Sequence, residues 1–166
     1  MKKANNILYY LVKIGLAFTI LGLLLFPGIF TTFLKVLYGD SSLIAIPKQK
    51  SFIIGIISFY TLSIPYTIII FHLNKIVNLL KKENYYNSII VKKLENISLI
   101  FLILSVLYPL INIFLYYGFN IFLYAFTIIP SIILPFLGIV LSLLFFIAAK
   151  FYENAIAIKE ENDLTV

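Results

Sequence analysis

Residues 96–149, the stretch between Glu95 and Lys150, contain no charged side chain and consist mostly of Ile, Leu, Phe, Val and Tyr. A soluble domain has no place to bury such a run, whereas about 20 helical residues rising 1.5 Å each cross a hydrocarbon core of about 30 Å. The run is too long for one crossing and right for two, which predicts a helical hairpin in the bilayer. The break is predicted at Tyr116-Tyr117-Gly118-Phe119-Asn120, where Gly and Asn favour a turn and tyrosines suit the interface. The hairpin then comprises spans of about 97–117 and 122–149, the second long enough to be tilted or broken near Pro130 and Pro135.

Two earlier runs have the same character. One covers about 7–30, with Lys13 near its start, where a flexible stem reaches the headgroups. The other covers about 52–71, with Pro65 near its middle. Met1-Lys2-Lys3 before the first run imitates a secretory leader, but the run exceeds the 7–15 residues of a leader's apolar region and no small-x-small cleavage site follows. It reads as an uncleaved span. With 62% hydrophobic and 12% charged residues, the whole chain, 1–166, reads as one all-α membrane domain, an antiparallel bundle of four transmembrane helices. A short outer loop is expected near Gly39-Asp40, with local widening where Pro65 and Pro109 kink their helices.

All thirteen cations are lysines, and their distribution sets the orientation. With the N-terminus inside, Lys2, Lys3, Lys13, Lys75, Lys81, Lys82, Lys92, Lys93, Lys150 and Lys159 lie on the cytoplasmic side, and only Lys35, Lys48 and Lys50 lie outside. Positive flanks are retained inside during insertion, so both termini are expected to be cytoplasmic. Lysines beside apolar runs, with no arginine, suit an anionic bilayer surface and argue against direct nucleic-acid binding. The absence of cysteine excludes disulfides, thiolate metal sites and cysteine nucleophiles.

The connector from His72 to Glu95 carries its own pattern. Leu73, Ile76, Val77 and Leu80 recur at helical spacing, which predicts an amphipathic continuation of the second span through Lys82. Asn84-Tyr85-Tyr86-Asn87-Ser88 predicts a turn, with Asn87 or Ser88 capping the next helix. Beyond Lys150 the chain becomes acidic. Ala155 and Ile158 predict one or two more turns of the last helix, with Asn162-Asp163-Leu164-Thr165-Val166 as a helix stop and a short extended end.

The terminal residues Ala157-Ile158-Lys159-Glu160-Glu161-Asn162-Asp163-Leu164-Thr165-Val166 resemble the C-terminal motif of the YoaS-like family of small bacterial membrane proteins, a group of unknown function. Ile64-Pro65-Tyr66, Leu79-Leu80, Tyr86, Ser88 and Lys93-Leu94 are similar as well, although family members usually have Phe where Tyr86 stands. The resemblance implies a four-span protein of the bacterial cytoplasmic membrane, often encoded beside a small helix-turn-helix transcription regulator, with no reaction attached. It thereby implies a cytoplasmic regulator as partner.

No catalytic, cofactor-binding or metal-ligating set is read from the residues. The lone His72 has no carboxylate or thiolate cluster around it in sequence, and reads as interfacial rather than as a ligand or proton switch. Asn112, Thr19, Ser58, Thr61, Ser63, Thr67, Ser105, Thr127, Ser131 and Ser142 read as hydrogen-bonding groups between helices or onto freed carbonyls, since transport normally leaves a charge at mid-membrane. Two surfaces remain as candidates. Glu160, Glu161, Asn162, Asp163, Leu164, Thr165 and Val166 are a candidate partner-binding end, as an added strand or through the terminal carboxylate. Lys81, Lys82, Lys92 and Lys93 are candidate anchors to anionic lipid. The leading expectation is a non-enzymatic regulatory or sensory protein. Self-immunity against a membrane-active peptide, or a small transporter or channel, are the alternatives, and association into a homo-oligomer is left open.

Overall fold

In the computed structural model, the described residues are 2–43, 48–119 and 124–164, with side chains described for 5–29, 53–115, 117 and 130–164. They form four helices: α1 (Lys2–Leu43), α2 (Lys48–Lys81), α3 (Ser88–Phe119) and α4 (Tyr124–Leu164). Each holds a segment long and apolar enough to cross a membrane. In hydrocarbon every backbone polar group must be satisfied within the segment, which is why these Ile- and Leu-rich runs form helices despite the modest helix propensity of β-branched residues. The chain is a multi-pass membrane protein.

Consecutive helices run antiparallel. Asn5 lies at the end of α2, donating from Nδ2 to the Leu80 carbonyl (3.3 Å), while deeper in the pair the Tyr60 hydroxyl donates to the Leu23 carbonyl (2.7 Å). On the other side, Ser98 meets Ser142 and Asn112 meets Ser131. Among the described residues α1 lies beside α2, α2 beside α3 and α3 beside α4, and no other pair of helices comes close together. The four helices are therefore a folded row rather than a closed ring.

Three boundaries differ from the sequence expectations. Gly39-Asp40 lies within α1, which continues to Leu43, so the connection to α2 falls at 44–47, outside the described residues. A Gly in a helix costs about 1 kcal/mol against Ala, too little to stop a helix already many turns long. Tyr116 to Phe119 are likewise helical, and the hairpin connection falls at 120–123, also outside the described residues. Helix α4 continues through Leu164, so Asn162-Asp163-Leu164 is helical and not an extended end. The preceding Ala, Lys and Glu residues are strong helix formers and propagate the span outward. Pro27, Pro65, Pro109, Pro130 and Pro135 all sit inside continuous helices, so α4 is not broken at its prolines.

The α3–α4 contact is a seam of small and polar residues. Ser98, Ser105 and Asn112 recur every seven residues on α3 and face Ser142, Gly138 and Ser131 on α4. A seven-residue repeat keeps one face toward the partner, and small side chains let the helices approach, which is how helices associate where lipid offers no hydrophobic drive. Ser98, Ser105 and Ser142 are buried. Ser105 donates back to the Leu102 carbonyl, and Thr19, Thr61 and Thr67 donate to the carbonyls of Gly15, Ile57 and Ser63. These are the interhelical and local hydrogen bonds expected of intramembrane hydroxyls, while Thr127 lies outside the residues with described side chains.

A lysine-rich head at one end of the helices

The buried apolar core is concentrated toward one end of the helices. Ile69, Ile76 and Val77 of α2, Ile90, Val91, Leu94 and Ile97 of α3, and Ala149 of α4 are buried, with Tyr152 and Ile156 packed against them. These residues gather at the end of the helices where most lysines stand. Their position relative to the bilayer follows from the charges. Lys150 reaches Glu95 across the α3–α4 pair at 3.8 Å, and Lys93 acts electrostatically on His72 across the α2–α3 pair. Interpolation between the Asn5–Leu80 and Tyr60–Leu23 contacts sets Lys13 level with His72. Lys13, His72, Glu95 and Lys150 thus define one level. From Lys13 to Lys35 along α1, and from Lys50 to His72 along α2, the helix rises about 33 Å, the thickness of a hydrocarbon core. The charge level therefore lies about one hydrocarbon thickness from the level of Lys35 and Lys50.

Local signals shape this head. Helix α2 ends in a Schellman motif: the Asn84 N–H donates to the Leu79 carbonyl and the Glu83 N–H to the Leu80 carbonyl, both at 3.1 Å. Glu83 takes the left-handed conformation (φ 59°) that the motif requires of this position. A side chain there is strained, so Glu83→Gly is expected to stabilise the head by up to about 1 kcal/mol. A Tm higher by a few degrees in detergent would show this, and a lower Tm would count against it. Helix α3 begins as expected at an Asn87 cap, whose Oδ1 accepts from the Ile89 N–H at 2.9 Å.

Aromatic rings then lock lysines and helices together. Lys81 Nζ stands 3.7 Å from the centre of the Tyr9 ring and 5.6 Å from that of Tyr10, while Lys159 Nζ stands 4.7 Å from that of Tyr86. Asn5 Nδ2 also donates to the Tyr85 hydroxyl at 3.2 Å, fastening α1 to the turn. Tyr85 and Tyr86 face Tyr152, whose phenol is pushed above its ordinary pKa by burial and then by those two rings' hydroxyls. Lys150 donates to Glu153 at 2.7 Å, and that bond raises its pKa.

The candidate site residues divide. Lys81, Lys82 and Lys92 are exposed and Lys93 half-buried. Glu160, Glu161, Asn162, Asp163 and Leu164 form the exposed last turns of α4, past the Lys159–Tyr86 contact and therefore past the α2–α3 turn. Thr165 and Val166 lie outside the described residues. The acidic end is a helical overhang, and adding it as a strand to a partner would require unwinding it. Two features escaped the sequence reading: the buried Ser98 and the seven-residue repeat joining it to Ser105 and Asn112. That spacing was the signal. Among the described residues no three His, Cys, Asp or Glu side chains group together as metal ligands would.

No curated protein and no solved structure matches the chain. A family model described as "Protein of unknown function (DUF2975)" matches residues 33–166, which covers α2, α3, α4 and the end of α1. The chain belongs to this family of unknown function, DUF2975.

Proposed function

We propose that this chain is a YoaS-like, non-enzymatic protein of the bacterial cytoplasmic membrane, whose lysine-rich head faces the cytoplasm and docks a soluble partner, a helix-turn-helix transcription regulator. The observation that carries the reading is the overhang of α4. Glu160, Glu161 and Asp163 stand on an exposed helical end beyond the packed core, and Leu164 beside them is 87% exposed. An apolar residue among carboxylates on a rigid helix end offers a partner both a steering charge and a contact to bury. The lysine distribution supports the orientation, and the lysines at the boundary serve as anchors to anionic lipid.

Removal of Asn162 to Val166 leaves the head core intact and is expected to reduce co-purification of a co-expressed neighbouring regulator at least tenfold in mild detergent. Unchanged recovery would reject the docking site, and recovery of no regulator by the full chain would reject the partner class.

A further inference from the structure

Residues of all four helices line an open, apolar cavity of about 810 Å³. Gly22 and Phe26 of α1, Ser63 of α2, Leu104 and Tyr108 of α3, and Leu137 of α4 are among its lining residues. Gly22 lies nine residues beyond Lys13, about 13 Å into the hydrocarbon. The lining is overwhelmingly apolar, and two of its hydroxyls are committed elsewhere: Thr19 donates to the Gly15 carbonyl and Ser105 to the Leu102 carbonyl. Ser63, Tyr66 and Tyr108 add only three more hydroxyls to a lining of seventeen residues, too sparse a set to give each water its two to four polar partners. The apolar side chains instead offer dispersion contacts that hydrocarbon is suited to make.

Access and shape choose the occupant. Among the described residues α1 comes close only to α2, and α4 only to α3, so the row of helices leaves the α1–α4 side open to the bilayer. The lining on α1 runs from Thr19 to Ile29, about 15 Å of helix, so the groove is long enough to seat an extended hydrocarbon tail and opens on the side where such tails are the surrounding matter. We propose that the cavity is a binding site for the acyl tail of a membrane lipid, which enters laterally between α1 and α4.

A Cβ added at Gly22 meets no atom within 4 Å, so a side chain there starts into open space. The full chain is reconstituted in vesicles containing a phospholipid with a photoactivatable diazirine in its acyl chain, irradiated, and mapped by peptide mass spectrometry. Labelling is expected to concentrate on lining residues such as Phe26 and Leu137. It should fall about tenfold in Gly22→Phe and partly in Gly22→Leu, with Tm unchanged or higher in both. Gly15→Phe, where added atoms also meet nothing within 4 Å and which lies off the lining, should label as the unmodified chain does. Labelling spread evenly over the outward faces, labelling insensitive to Gly22→Phe, or crosslinks between copies at the lining would each overturn the proposal.

Discussion

Ile90→Ala is expected to lower stability by about 2–5 kcal/mol, a fall in Tm on the order of 10 °C in detergent. Ile90 is 0% exposed in the head, among Ile76, Val91 and Leu94 on the lysine-rich side of the charge level. Truncation leaves a cavity that three packed helices can close only in part. Ile132→Ala, at a 69% exposed position within a span, removes a side chain that meets lipid in either case, and is expected to change stability by less than about 0.5 kcal/mol. Thermal melts of the two variants side by side test whether the packed core sits at the lysine-rich end. Equal losses would contradict it.

Gly138→Leu should have the second large effect, for a different reason. A Cβ at Gly138 would stand 3.0 Å from the Ser105 Cβ and 3.4 Å from the Phe101 carbonyl oxygen. Neither is the far end of a flexible chain, so α3 and α4 must separate, and the hydrogen bond between Ser98 and Ser142 (3.1 Å) weakens with them. Overpacking of this kind costs about 1–3 kcal/mol. Gly138→Ala should cost less, and Ser105→Gly in the same chain should recover most of that smaller loss by removing the atom it strikes. Additive losses in the double variant would show that the seam is not where the helices are pressed together.

Much of this architecture was legible because hydropathy and lysine placement report directly on the bilayer. The uncharged stretch from 96 to 149 gave a helical hairpin, the spacing of Leu73, Ile76, Val77 and Leu80 gave the extension of α2, and Asn87 caps α3 as its side chain predicts. Helix ends were less legible. A hydropathy run stops where lipid stops, whereas a helix stops only where its backbone finds a cap or a breaker. Gly39-Asp40 and Asn162-Asp163 looked like such breakers, yet each is absorbed by a long helix. The open row of helices was hidden for a related reason. Four apolar spans carry no charge pattern to say whether the first and last meet, and among the described residues they do not.

The candidate site was legible in composition and not in shape. The acidic end and the lysine pairs stood out at once, but an extended terminal segment was expected where α4 runs straight on through Leu164. The contacts of Lys81 with Tyr9 and of Lys159 with Tyr86 join residues far apart in sequence, and no local pattern announces them.

The central claim is that the head and both chain ends share the cytoplasmic side of a four-span protein. The chain has no cysteine, so single cysteines report topology without a background. Lys48→Cys, Asn84→Cys and Asn162→Cys are to be treated in intact cells, before and after permeabilisation, with a membrane-impermeant maleimide. The account predicts that Lys48→Cys reacts from outside, while Asn84→Cys and Asn162→Cys react only once the membrane is opened. Reaction of either of those two in intact cells would contradict it.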